Sequence, residues 1–139
     1  KEDGCAFLNE KGRCTIHAFR PGFCRLFPLG RIYEDGSFSY YLQSQECTKA
    51  NRTKVKVNKW LGIPDLKQYE NFVNEWHYFL KDTKALLLRL SDAQLNQELS
   101  MYLLNRFYTT AFDLESDFYK QFDERMTQMK KLIYTLDRQ

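Results

Sequence analysis

CAFLNEKGRCTIHAFRPGFCRLFP, residues 5–28, carries three of the four cysteines of this 139-residue chain, and Cys47 is the fourth. The spacing is Cys5-x8-Cys14-x2-His17-x6-Cys24. These thiols sit among glycine, arginine and proline rather than in an apolar run, so packing does not explain them. The segment around them has few aliphatic residues. A small fold that cannot bury enough apolar surface is held by a metal or by disulfides. Residues 1–52 therefore read as a cysteine-rich head that depends on covalent or coordinate chemistry.

Outward from this stretch, Asn9-Glu-Lys-Gly12 is a turn signal between two short apolar patches. Pro21 fixes a bend that aims Cys24, and Pro28 and Gly30 mark the exit from the loop. Glu34-Asp-Gly36 lies between Arg31–Tyr33 and Ser37–Leu42. Asp-Gly between alternating aromatic runs predicts a hairpin, and its second arm leads towards Cys47. Residues 53–139 read as a helical bundle. Thr53 can cap a short helix through Leu61, stopped by Gly62. Pro64-Asp65 opens a long helix with the stripe Leu66, Tyr69, Val73, Trp76, Leu80, Thr83, Leu87 and Leu90. Ser91-Asp-Ala-Gln94 has the capping-box pattern and restarts a helix through about Phe107, with Leu95, Leu99, Tyr102 and Leu103 on its stripe. A last helix is expected from about Leu114 to Tyr134, with Phe118, Phe122, Met126, Met129 and Ile133 on one side. The expected fold is mainly α. A cysteine-rich loop head with a short β-hairpin packs on an antiparallel bundle of about three long helices, as one compact unit.

Composition narrows the function classes. Aromatic residues make up 16% of the chain and fall mostly in its second half, which can stand on packing. The net charge is +3, unevenly spread. Up to Pro64 there are eleven Lys/Arg against six Asp/Glu, or +5; beyond it ten against twelve, or −2. The basic run Lys49–Lys59 reads as a solvated face near the thiols rather than a nucleic-acid site. No apolar stretch approaches the ~20 residues of a membrane span. The long Lys/Glu-rich helices, with no signal peptide in view, point to a cytoplasmic protein. The partner class that remains is a protein or a small molecule.

Four chemistries compete for the thiols. Thiolates are soft donors that suit zinc and iron–sulfur clusters, and four of them can make one tetrahedral site. His17 can replace one ligand or serve a second site. There is no Cys-x2-Cys knuckle. Disulfides, with three possible pairings, require an oxidising compartment. Nucleophilic catalysis would draw on Cys24 between Arg20 and Arg25, with His17 close in sequence, but needs an orienting third group. Arg20, Arg25 and Arg31 can bind an anion, or neutralise a thiolate-rich metal site. His77, beside Trp76 on the long helix, reads as a helix histidine rather than a ligand.

The string Cys5-Ala-Phe-Leu8…Gly12-Arg-Cys14-Thr-Ile-His17-Ala-Phe-Arg20-Pro21-Gly-Phe-Cys24-Arg25-Leu-Phe27-Pro28 resembles the YkgJ-type cysteine-cluster proteins, a zinc- or iron-chelating family. Their pattern is C-x-F-L…G-x-C-x-I-[HY]-x-x-R-P-x-x-C-R-x-F-P, followed by a later cysteine. The resemblance implies that Cys5, Cys14, Cys24 and Cys47 are metal ligands in a bacterial or archaeal cytoplasmic protein. It implies a lesser role for His17, where family members often carry Tyr: an additional ligand or support for the ligands. Arg20 and Arg25 are then anion-binding or ligand-supporting residues. Members usually open with a further C-x2-C-x2-CC cluster upstream of the position of Cys5, so half of the expected ligand set lies outside this sequence. The cofactor expected is zinc in a structural role, with iron or an iron–sulfur cluster as the alternative. The family's cluster also occurs in flagellin lysine N-methylases, which makes cluster-dependent methyl transfer or redox chemistry the enzymatic alternative; no catalytic residue is assigned. A disulfide-stapled helical domain is the third.

Overall fold

A computed structural model describes residues 4–46 and 53–138. Cys47 and the start of the basic run, Lys49–Arg52, lie outside the described residues. The fold is mainly helical with a two-stranded antiparallel hairpin. The chain divides into two compact units, residues 1–70 and 71–139.

In the first unit a 3-10 turn, His17–Phe19, leads through Pro21 into the short helix α1, Gly22–Leu26. Strands β1, Leu29–Glu34, and β2, Ser37–Leu42, follow, with Glu34 opposite Ser37. Asp35 and Gly36 both have positive φ, 50° and 77°. A two-residue hairpin loop needs that backbone at both positions to match the strands' twist, which is what Asp-Gly supplies. Helix α2, Val57–Leu61, ends at Gly62 in the left-handed region, whose N–H reaches the Asn58 carbonyl. It starts three residues later than a Thr53 cap implies. Lys56 holds the N-cap position with extended backbone and Thr53 is exposed coil.

Helices α1 and α2 pack together, and among the described residues Leu26 and Leu61 are the buried leucines of this unit. The Trp60 indole N–H donates to the Phe27 carbonyl at 3.1 Å, which ties α2 to the end of α1. Helix α3, Leu66–Leu90, is capped by Asp65, whose carboxylate accepts from the Gln68 N–H at 2.9 Å. Its first turn brings Tyr69 to the hairpin. The Arg31 guanidinium donates to the Tyr69 hydroxyl at 2.9 Å and lies 5.3–5.8 Å from the ring centres of Phe38, Tyr40 and Tyr69. Gly22 makes room for this arrangement, since a Cβ there would meet the Tyr69 hydroxyl at 2.4 Å.

The second unit contains the rest of α3, then α4, Ala93–Leu104, and α5, Phe118–Asp137. Phe72 meets Phe118 and Phe122, and Arg89 pairs with Asp137, so α3 and α5 run parallel. The α3–α4 link is two residues long, and Phe107, just past α4, returns to Trp76. Helix α4 is therefore antiparallel to both. The core is Phe79, Leu99, Phe107, Phe122, Met126 and Met129, with Phe72, Trp76 and Leu103 against it. The buried line of α3 is Phe79-Thr83-Leu86, so Leu80 is exposed. The predicted stripe is rotated by about one position. The rings of Phe72 and Trp76 meet Phe122 of α5 edge to face, Phe79 stacks on Trp76 and meets Phe107, and these contacts set the helix's rotation.

Two further boundaries differ from the sequence reading for local reasons. Asp92, not Ser91, caps α4, its carboxylate accepting from the Leu95 N–H at 2.9 Å. Ser91 has φ 53° and spends its hydroxyl on the Leu88 carbonyl. Residues Leu114–Ser116 form a turn instead of the start of α5. The Asp113 carboxylate accepts from the Glu115 N–H at 3.0 Å and from the Ser116 hydroxyl at 2.7 Å, which holds the backbone out of the helix. Those bonds also lower the Asp113 pKa. Asp117 then caps α5 through the Lys120 N–H.

Helix α4 runs into a π-helical turn, Asn105–Thr109. Arg125 of α5 is buried against that end. Its guanidinium donates to the carbonyls of Arg106, Thr110 and Ala111 at 2.7, 2.9 and 2.7 Å, and its centre lies 3.7 Å from the Phe112 ring centre. A cation on the carbonyls at a helix C-terminus is favoured by the helix dipole. Burial, and the nearby Arg106 charge, lower its pKa.

Candidate metal centre

The cysteine loop is shaped mainly by local bonds. Asn9 organises the first turn: its side-chain oxygen accepts from the N–H groups of Lys11 and Arg13 at 3.0 and 2.9 Å. Gly12, at φ 70°, donates its N–H to the Asn9 carbonyl at 2.9 Å. The two sides of the turn meet at a Leu8–Cys14 bridge, and the Thr15 N–H and hydroxyl both reach the Phe7 carbonyl, at 2.8 and 3.0 Å. Cys5 precedes this turn, its carbonyl accepting from the Leu8 N–H at 3.1 Å, and Cys14 lies on the returning side.

Cys24 sits in α1. Arg25, next to it, donates from Nε to the Arg20 carbonyl at 3.0 Å and from Nη2 to the Ala18 carbonyl at 3.1 Å. It folds the His17–Arg20 segment back onto α1, so its role in this geometry is to fix the loop between Cys14 and Cys24. The Nε of Arg20 is buried with no hydrogen-bond partner among the described residues. His17 is exposed on the 3-10 turn.

Cys5, Cys14 and Cys24 are free thiols; Cys5 and Cys24 are exposed and Cys14 is half-buried. Among the described residues, no group of three or more His, Cys, Asp or Glu side chains is gathered as a metal ion would need. The donor chemistry fits a thiophilic metal, since the thiols are unpaired and mostly open to solvent. The hairpin returns the chain, at Gln43, to the exit of the cysteine loop. The Gln43 N–H donates to the Pro28 carbonyl at 3.0 Å, and the Gln43 side chain to the Leu29 carbonyl at 3.2 Å. Pro28 is four residues after Cys24, and Gln43 is four residues before Cys47. Four residues reach at most about 14 Å.

The surface of the loop is apolar. Phe19 is 86% exposed and Phe23 82% exposed, both shortly before Cys24 in sequence. Spacing of the cysteines gave no hint of this, nor of the clamp made by Arg25. The Arg20-Pro21 pair is the one sequence signal that a tight loop is held there. Among the described residues, no helix is long and apolar enough to cross a membrane.

Comparison with known proteins bears on this head. Residues 1–54 match the family model described as "CxxCxxCC: Putative zinc- or iron-chelating domain", the family that the Cys5–Pro28 string resembles. No curated protein and no solved structure matches the chain.

Proposed function

We propose that the head is a metal-binding module in which Cys5, Cys14, Cys24 and Cys47 hold one zinc ion in a structural role, with iron or an iron–sulfur cluster as the alternative occupant. The observation that carries this reading is the match of residues 1–54 to a zinc- or iron-chelating domain. Three free thiols in that span supply the soft donors. Zinc held by four thiolates would carry a formal charge of about −2, and the surplus of basic residues up to Pro64 offsets it.

When bound, the ion supplies cross-links that burial does not. Leu26 and Leu61 are too few buried aliphatic side chains to order more than fifty residues by packing. Ligands borne on separate turns make metal binding and folding of the head one event. Arg25 pre-shapes the loop between Cys14 and Cys24 through its two carbonyl bonds. His17 lies between those ligands in sequence and serves as a further ligand or as support for them. The bacterial, cytoplasmic setting belongs to the same reading, since reduced thiols are the form that binds metal.

Cys24→Ser in the full-length protein tests this. It should lower bound metal by at least tenfold and loosen the head, with far-UV circular dichroism largely kept by α3, α4 and α5. Unchanged metal content and unchanged stability in that variant would sink the structural-metal reading. A coloured protein after anaerobic purification would replace zinc by an iron–sulfur cluster.

A further inference from the structure

Cys24 sits at the middle of α1, a helix of five residues that is too short to hold its own shape. Two aromatic side chains from later in the chain hold its ends. At the C-terminal end, the Trp60 indole N–H donates to the Phe27 carbonyl at 3.1 Å. At the N-terminal end, Gly22 lies against the Tyr69 ring. A Cβ on Gly22 would stand 2.4 Å from the Tyr69 hydroxyl oxygen, 3.0 Å from Cζ and 3.1 Å from Cε2. The backbone meets the ring there only because residue 22 has no side chain.

Tyr69 is itself fixed. Its hydroxyl accepts from Arg31 Nη2 at 2.9 Å, and the guanidinium centre lies 5.3 Å from its ring centre. The same guanidinium faces Phe38 and Tyr40 of β2 at 5.3 and 5.8 Å. The hairpin therefore acts, through Arg31 and Tyr69, on the end of the helix that carries Cys24. All of these residues belong to the first compact unit.

We propose that Tyr69, locked by Arg31, is a positioning residue for the metal site: it fixes the N-terminal end of α1 and so aims the Cys24 thiolate at the other cysteines. This rests on the metal-binding reading of the head. A ligand placed before the ion arrives lowers the ordering cost of binding, so the contact is expressed as metal affinity. The coupling is reciprocal, and an ion held by Cys24 tightens the Tyr69–Arg31 contact in return.

The test uses the full-length protein. Zinc affinity is read by competition with a chromophoric chelator, and ligand number from the thiolate-to-cobalt absorbance of cobalt-saturated protein. Tyr69→Phe keeps the ring and should weaken zinc about fivefold. Gly22→Ala drives α1 and Tyr69 apart and should weaken zinc at least tenfold, with the cobalt absorbance reduced by about a quarter, the share of one thiolate in four. Gly22→Ala combined with Tyr69→Phe removes the clashing hydroxyl. It should recover to within about twofold of Tyr69→Phe alone, a non-additivity that marks direct contact. A contact that only stabilised the fold would leave the saturated cobalt spectrum of Gly22→Ala at wild type, and that result overturns the proposal. So does a double variant no tighter than Gly22→Ala. Metal lost in Cys24→Ser but bound with wild-type affinity by both single variants overturns this proposal alone. Metal retained in Cys24→Ser overturns it together with the metal reading.

Discussion

Replacing Arg125 by methionine removes the cation that closes the end of α4. The side chain is of similar length and apolar, so the change isolates the guanidinium from the space it fills. Three carbonyls, those of Arg106, Thr110 and Ala111, lose their donor at once. Taken at the low end of its range, about 1.5 kcal/mol for each hydrogen bond to a charged group, the three together contribute about 4.5 kcal/mol. Two effects reduce this. Methionine is easier to bury than a guanidinium, and it keeps part of the contact with Phe112. A loss of about 3 kcal/mol remains, large beside the usual surface substitution. Urea unfolding followed at 222 nm measures it, with the loss appearing in the midpoint at an unchanged slope. Arg125→Lys should recover only part, because one ammonium cannot fork to all three carbonyls. A destabilisation below about 0.5 kcal/mol in the methionine variant would refute the claim that this guanidinium holds the π-helical turn against α5.

Three other outcomes follow from particular contacts. Asp92→Ala should cost about 1 kcal/mol in the same urea assay, while Ser91→Ala costs less, because the cap bond to the Leu95 N–H comes from Asp92. Gly22→Ala should displace Tyr69 from Arg31 and shift the Trp60 emission of the head, while Gly36→Ala, at positive φ with open space around it, should instead strain the hairpin turn without moving Tyr69. Burial, then the neighbouring Glu70 carboxylate, raise the Tyr40 pKa to about 12. The folded state holds that proton more tightly than the unfolded chain. The corresponding stability is present below pH about 10 and is lost as pH rises towards about 12. Tyrosinate absorbance should show one late-titrating group that Tyr40→Phe removes.

Much of this was legible in the residues. Asp35-Gly36 specified its hairpin because few dipeptides tolerate two positive φ values in succession. Asp65 and Gly62 marked helix boundaries by capping chemistry that acts within a turn. The helical stripes located the core to within about one position, but α3 has apolar residues on more than one face. The choice between Leu80 and Phe79 was made by Phe107 and by the contact of Trp76 with Phe122, both distant in sequence. The Asp113 turn competes with helix by side-chain bonds that the apolar stripe does not register. Arg125 occupies a core position beside Met126, and nothing local reveals that three carbonyls from another segment wait for it. In the head, the cysteine string carried the family match, while the carbonyl clamp of Arg25 and the exposed Phe19 and Phe23 are seen only in the folded structure.

The most direct measurement is elemental analysis of the full-length protein purified without oxygen, with thiol titration of the denatured chain alongside. About one equivalent of zinc or iron is expected for the cysteine set of residues 5–47, lost in Cys24→Ser, with all four thiols reactive once the metal is chelated. A protein without metal, indifferent to Cys24→Ser, or with its cysteines consumed in disulfides, would contradict it.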